Sequence, residues 1–175
     1  MCIRDRYYTV TNENENIPIE GDMVFNTLNW NSQKQQLKTN GQSEAYYTAV
    51  HEMGHVLGIG TMWNTNNLIS SDSLWYTGDN ALREYRTYNN DSTLIGIPIE
   101  DDGGSGTAYG HPEEGDDAHN SRYNDGKLHP GLDHELMTGY AEGTNDPEPL
   151  SKITIAFLED IGFSVNYNKA DDYSI

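Results

Sequence analysis

The stretch HEMGHVLGIGTMW, residues 51–63, decides how this chain of 175 residues folds and what it can bind. On an α-helix, residues i and i+4 lie one above the other, so His51 and His55 project side by side and can bind one zinc ion. Glu52 can reach a water molecule on the metal without binding the metal, which is the position of a general base. A catalytic zinc normally has three protein ligands, and Thr61 stands where the most compact form of the motif has its third. The third ligand must therefore come from later in the chain.

The residues around this motif predict a buried helix. Ser43 is suited to cap its start and Glu44 to complement the helix dipole, and Gly58 is a natural stop. Glycine at position 54 costs about 1 kcal/mol relative to alanine in a helix. This cost is explained if another group must approach the helix backbone closely at that position. The predicted apolar face follows helical spacing and comprises Ala45, Ala49, Met53 and Val56, with Tyr46, Val50 and Leu57 beside them. The competing interpretation is an amphipathic helix that carries two histidines by chance.

The rest of the chain predicts an α+β fold with a small twisted sheet and the HExxH helix packed behind it. MVFNTLNW, residues 23–30, alternates as a strand does, and NALREYRTY predicts a short helix after Asn80. Residues 101–131 are rich in Gly, Asp, Glu, Asn and His, which indicates an irregular lower half. A C-terminal helix should begin after Ser151 and end at Gly162, with a strand-like FSVNY after it.

Composition restricts the partners and the organisation of the chain. The chain has 28 acidic and 10 basic residues, a net charge of −18. This charge argues against nucleic acids and anionic membrane surfaces as partners. Apolar runs are far too short for a membrane span. The single cysteine, Cys2, lies in the opening MCIRDR, and we interpret residues 1–6 as a non-native leader. Residues 7–175 then form one catalytic domain that is truncated at its N-terminus.

Four histidines follow the helix, namely His111, His119, His129 and His134. Several ordered segments of the sequence resemble the leishmanolysin-like branch of the metzincin metallopeptidases, in which the third histidine arrives after a long insertion, shortly before a methionine turn. These segments are GDMVF, HEMGHVLGIGTMW, YTGDNALREY, DDGGSGTAYGH, ELMTGY and LSKITIAFLEDIGFSVNYNKADDY. The resemblance covers most of residues 21–173.

The resemblance implies the roles of individual residues. It implies zinc ligands His51 and His55, general base Glu52, and Met137 as the methionine of the Met turn. The first choice for the third ligand is His111, because GTAYGH resembles the stretch that delivers it in the family. The stretch PEEGDDAHNSRYNDGKLHPGLDH is longer than the family usually has, and it leaves His129 as the runner-up. For His119 and His134 a surface position is favoured, and the near absence of cysteine departs from the disulfide-rich protozoan relatives.

The function expected from these features is that of a zinc-dependent endopeptidase that hydrolyses peptide bonds through a metal-activated water, with Glu52 as general base. Its partners would be protein or peptide substrates, and we expect a monomer that is secreted or held at the cell surface. Two alternatives stay open. One is a metal-binding surface or adhesion module derived from a protease, without activity, and the other is a zinc hydrolase that acts on a non-peptide amide or ester.

A calcium site is a further hypothesis. Calcium takes oxygen ligands from flexible loops, and the chain carries two acidic clusters that lack the EF-hand spacing. The first cluster is Asp101 and Asp102, and the second is Glu113, Glu114, Asp116 and Asp117. A solvated acidic loop explains these residues equally well.

Overall fold

The structure is a computed structural model that describes residues 4–11, 16–115, 129–143 and 146–175. These residues form an α+β fold. In chain order the elements are β1 (Arg4–Thr11), β2 (Pro18–Val24), α1 (Thr27–Gln33), α2 (Glu44–Val56), β3 (Trp75–Tyr76), α3 (Asp79–Tyr88), β4 (Ile97–Pro98), α4 (Lys152–Ile161) and a 3-10 turn (Tyr167–Lys169). Among the described residues no helix has both the length and the apolar composition that crossing a bilayer requires.

The strands form two separate antiparallel pairs. β1 pairs with β2, and β3 pairs with β4, where Trp75 lies opposite Pro98. The predicted strand over residues 23–30 is wrong in its second half, because β2 ends at Val24 and α1 begins at Thr27. The side chain of Asn26 accepts a hydrogen bond from the backbone N–H of Leu28 at 2.9 Å, which caps a new helix where the alternating pattern suggested more strand.

Helix α2 has the predicted bounds, but its buried face matches the prediction only in part. The Ser43 hydroxyl accepts a hydrogen bond from the backbone N–H of Tyr46 at 3.2 Å, and Gly58, with φ +111°, follows the helix end. Tyr46 and Met53, assigned to the apolar face, are 47% and 45% exposed. Ala45 of the predicted face is buried, but the buried face also carries His51, Glu52 and His55. The prediction was wrong for the polar part of this face, because hydrophobic periodicity cannot indicate a polar buried surface.

Helix α4 confirms the prediction made from its ends. The Ser151 hydroxyl accepts hydrogen bonds from the backbone N–H groups of Ile153 and Thr154, and Gly162 ends the helix with φ +118°. The strand-like interpretation of FSVNY is wrong, because residues 163–166 are irregular and lead into the 3-10 turn.

Helices α3 and α4 are joined by a side-chain cap. The residue before α3 is Gly78, which has no side chain to cap the helix. The carboxylate of Asp160, on α4, accepts hydrogen bonds from the backbone N–H groups of Asn80 and Ala81 at 2.9 and 3.0 Å. It also accepts the Tyr76 hydroxyl at 3.0 Å. A carboxylate at this position complements the helix dipole as well as its free N–H groups.

A buried lysine joins the start of α2 to Glu142, Gly143 and Glu148. The Nζ of Lys38 lies 2.9 Å from a carboxylate oxygen of Glu44 and 3.1 Å from one of Glu148, and it donates to the carbonyls of Glu142 and Gly143. Burial lowers the pKa of Lys38, but hydrogen bonds to the two carboxylates outweigh this and raise it above 10.5. The lysine therefore stays charged, and the apolar core lies beyond it around Trp63, Tyr76, Tyr85 and Phe157.

Candidate metal centre

Three histidine side chains meet in one buried cluster. The Nε2 atoms of His51 and His55, one turn apart on α2, lie 3.0 Å from each other. The Nε2 of His111 lies 2.9 Å from that of His55 and 3.3 Å from that of His51. The three rings are buried. The structure thus brings together two residues of one helix and a third that follows 56 positions after His55.

The other nitrogen of each ring contacts a backbone carbonyl. The Nδ1 atoms of His51, His55 and His111 lie 2.7, 2.9 and 2.7 Å from the carbonyl oxygens of Leu136, Ile59 and Thr107, in that order. A carbonyl oxygen only accepts hydrogen bonds, so each Nδ1 carries the proton and donates it. Each Nε2 therefore presents a lone pair toward the other two, and these three atoms cannot hydrogen-bond to one another.

This arrangement fits a zinc ion. Zinc binds imidazole nitrogen at about 2.0–2.1 Å in tetrahedral geometry, which separates two ligand nitrogens by roughly 3.3 Å. The observed separations of 2.9–3.3 Å are close to this value. Three neutral imidazoles, each oriented by a backbone carbonyl, are the donor set and the supporting contacts that zinc sites use.

The segment that carries His111 returns antiparallel to residues 97–100. The backbone N–H of Glu100 donates to the carbonyl of His111 at 3.1 Å, and that of Tyr109 donates to the carbonyl of Glu100 at 2.8 Å. Gly60 has φ +74°, and a Cβ atom there would overlap the carbonyl oxygen of Gly110. Glycine at position 60 therefore allows the segment to pass directly against the turn after α2.

Met137 packs against α2 at Gly54, one residue before His55. Its side chain is fully buried, and a Cβ atom on Gly54 would lie 2.5 Å from its sulfur. This confirms the expectation that another group approaches the backbone at the mid-helix glycine.

Glu52 is almost fully buried on the same helix, beside His51. It does not belong to the group of ligand atoms that lie within 4.8 Å of one another, which comprises His51, His55 and His111. Within the described ranges, no fourth histidine, cysteine or carboxylate joins that group.

The structure places the rival histidines elsewhere. His129 is fully buried, with its ring centroid 4.4 Å from that of Trp75. His134 has a side chain that is 49% exposed, and its Nδ1 lies 2.8 Å from a carboxylate oxygen of Glu142. His119, like Asp116 and Asp117 of the calcium hypothesis, lies outside the described residues.

An acidic cavity of about 430 Å³ adjoins the segment that carries His111. It is lined by Glu100, Asp102, Glu113, Glu114, Gly115, Asp133 and Tyr140. Burial, together with repulsion from Glu142, Asp133 and Glu100, raises the pKa of Glu114 to about 7. The Tyr140 hydroxyl donates to Asp102 at 2.7 Å, and this bond raises the pKa of Tyr140 to about 12. Calcium binding by Asp101, Asp102, Glu113 and Glu114 stays a prediction.

Sequence reasoning missed the groups that support the cluster. The carbonyls of Leu136, Ile59 and Thr107 orient the three rings, but a backbone carbonyl occurs at every residue and has no signature in the sequence. The glycine at position 60 was the available signal for close backbone contact.

Comparison with known proteins agrees with the motifs. The model of the leishmanolysin family of peptidases matches residues 13–173, which confirms the resemblance seen in the sequence. No curated protein matches the chain significantly.

Proposed function

The chain belongs to the leishmanolysin family of metallopeptidases, and from this premise we propose that it is a zinc-dependent endopeptidase with Glu52 as general base. The observation that carries the proposal is the convergence of three Nε2 lone pairs from His51, His55 and His111. The family implies protein substrates, so peptide bonds are the bonds to be hydrolysed.

In this proposal the three histidines hold the metal through Nε2, and the carbonyls of Leu136, Ile59 and Thr107 keep each Nδ1 protonated. Bound zinc supplies a Lewis acid that acidifies water and polarises a peptide carbonyl. Met137 packs under the cluster as the methionine of a metzincin-type Met turn, within an irregular lower half that also carries His111.

Glu52 moves the proton. Its carboxylate lies on the buried face of α2 next to His51, outside the ligand group, where it can accept a proton from the attacking water. The same oxygen then returns the proton to the nitrogen of the leaving amine. Burial limits the access of bulk water, so the proton stays with the reacting groups.

The alternative is a metal-binding surface or adhesion module without activity. A structural zinc site is closed by four protein ligands, whereas a catalytic site keeps one position open. The group of three histidines within the described residues favours the catalytic interpretation, because His129 lies against Trp75 and not in that group.

The organisation and location of the protein are part of the same proposal. In this proposal the chain acts through one catalytic domain. The domain acts as a monomer on protein or peptide substrates, in the secreted or surface location typical of leishmanolysin-like proteins.

The first experiment compares the zinc-loaded chain with Glu52→Gln on an unstructured protein substrate, at equal measured zinc content. General bases contribute about 10²- to 10⁴-fold, and the variant should lose that much activity while it keeps its zinc. Equal cleavage by both proteins would remove Glu52 as the base. If neither protein cleaves although both hold zinc, the adhesion-module alternative is favoured.

A matched pair of substitutions tests the third ligand. Both His111 and His129 are buried, so His111→Ala and His129→Ala each remove a buried imidazole. Only His111→Ala should lower the bound zinc per folded chain. A loss of zinc in His129→Ala alone would contradict the proposed ligand set.

A further inference from the structure

Glu135 is a buried carboxylate that connects two parts of the chain. It is 1% exposed and lies two residues before Met137. Its Oε2 accepts a hydrogen bond from the backbone N–H of Met137 at 2.7 Å. Its Oε1 accepts the backbone N–H of Ser151 at 3.0 Å and the hydroxyl of Thr154 at 2.6 Å. One side chain therefore joins the turn at Met137 to the first turn of α4.

The bond to Met137 reaches the histidine cluster through a single peptide group. The N–H of Met137 and the carbonyl of Leu136 belong to the same peptide unit, which is planar, with the two groups pointing in opposite directions. Glu135 binds the N–H end of this unit, and the carbonyl end accepts the Nδ1–H of His51 at 2.7 Å. Fixing one end of a rigid plane fixes the other, and the two hydrogen bonds polarise each other.

We infer that Glu135 is a positioning residue for the metal centre. It orients His51 through the Leu136–Met137 peptide. The inference rests on the proposed function, in which His51 is a ligand. Zinc-binding histidines commonly donate their second ring nitrogen to a carboxylate or carbonyl that fixes the tautomer. Here the carbonyl performs this task directly, and the carboxylate acts one peptide further out.

Capping of α4 alone does not explain this carboxylate. The Ser151 hydroxyl already accepts the backbone N–H groups of Ile153 and Thr154, so the helix has a side-chain cap without Glu135. Burial raises the pKa of Glu135 and penalises its charged form, while the Thr154 hydroxyl and the Met137 and Ser151 N–H groups oppose that shift. Ser151 cannot replace Glu135 in the hydrogen bond to the Met137 N–H, and this is the bond that links Glu135 to the histidine cluster.

The test substitutes Glu135→Gln, which keeps the shape of the side chain. The amide has one accepting oxygen, and the two donors of α4 favour placing that oxygen toward Ser151 and Thr154. The amide NH₂ then faces the N–H of Met137, so two donors meet where a donor met an acceptor. We expect zinc affinity, measured by chelator competition on folded protein, to fall roughly 10-fold, the lower end for outer partners of metal ligands.

A second measurement uses the metal-free protein. Long-range proton–nitrogen NMR of the imidazoles distinguishes a proton on Nδ1 from one on Nε2. In the parent, His51 should carry its proton on Nδ1, and Glu135→Gln should mix the two tautomers. This result is independent of metal, so it decides the inference even if the parent binds no zinc and the proposed function fails.

The control is Ser151→Ala. It removes the hydroxyl cap of α4 but keeps the backbone N–H that Glu135 accepts. It should lower thermal stability and leave zinc affinity and the His51 spectrum unchanged. Equal zinc affinity in all three proteins, or equal losses in both variants, would overturn the inference, as would a His51 spectrum that Glu135→Gln leaves unaltered.

If Glu135→Gln does not fold, amide hydrogen exchange in the parent protein tests the positioning role of Glu135. Linkage is reciprocal, so zinc binding must stabilise any bond that supports it. Zinc should then slow hydrogen exchange of the Met137 amide roughly 10-fold more than that of the Ile153 amide. The Ile153 amide serves as the reference, because it lies at the start of α4 and donates to the Ser151 hydroxyl and not to Glu135. Equal slowing of both amides would refute a positioning role.

Discussion

Comparing Gly60→Ala with Gly41→Ala should distinguish the cost of displacing the His111 segment from the general cost of replacing a glycine that has a positive φ. Gly60 has φ +74°, and a Cβ atom there would overlap the carbonyl oxygen of Gly110, next to His111. Gly41 has a similar φ of +82° but nothing within 4 Å of its Cβ position, so Gly41→Ala carries the conformational cost without the overlap.

The two costs can be worked out separately. Left-handed backbone costs a non-glycine residue about 1–2 kcal/mol, partly offset by the lower entropy of the unfolded alanine chain. Gly41→Ala should therefore lose about 1 kcal/mol of unfolding free energy. In Gly60→Ala the Gly110 carbonyl must also retreat by about 1 Å, and backbone shifts of this kind add about 1–3 kcal/mol. The total for Gly60→Ala is about 2–4 kcal/mol.

The same displacement should weaken zinc binding. Metal–ligand distances tolerate only about 0.2 Å, so moving the backbone beside His111 by more than this withdraws its Nε2 from the cluster. We expect a loss of roughly 100-fold in zinc affinity for Gly60→Ala and none for Gly41→Ala.

The assays are urea unfolding of the metal-free proteins and competition with a chromophoric chelator for zinc. If the two variants unfold within about 0.5 kcal/mol of each other and Gly60→Ala binds zinc as the parent does, the overlap at the Gly110 carbonyl does not hold the His111 segment in place.

Three further predictions concern charged groups. Asp160→Ala leaves the N-terminus of α3 uncapped and should lower the unfolding free energy by about 1–2 kcal/mol in urea melts, and an unchanged midpoint would contradict the cap. Lys38→Met leaves the buried carboxyl of Glu148 without its cation and should cost about 3–5 kcal/mol by the same assay, whereas a loss below about 1 kcal/mol would mean that the ion pairs contribute little. The pKa of Glu114 is raised from 4.5 to about 7, so the folded state holds this proton more tightly than the unfolded state. The resulting stability is present below pH 4.5 and is lost as pH rises through about 7. Glu114→Gln should therefore be more stable than the parent by about 1 kcal/mol at pH 8, a value discounted for solvent screening of a half-buried group. At pH 4 the two proteins should be equally stable. The same difference in stability at both pH values would rule out this titration.

Local features could be predicted from the sequence because a few neighbouring residues determine them. The caps at Ser43 and Ser151 and the stop at Gly162 act within one turn of helix, and both helices have the expected ends. The side-by-side placement of His51 and His55 follows from helical spacing alone. The strand predicted through residues 27–30 failed because one local signal, the Asn26 cap, overrode another, the alternation of apolar residues.

By itself, therefore, the sequence determined the HExxH helix, the capped C-terminal helix, the α+β class and the family. The resemblance favoured His111 as the third histidine, but only the tertiary structure brings its Nε2 to those of His51 and His55, buries one face of α2 and places Glu135 against the Leu136–Met137 peptide. The physical reason is that these outcomes depend on contacts between segments far apart in the chain. Several of those contacts are made by backbone carbonyls and by glycines that let backbones touch, and neither specifies its partner through residue type.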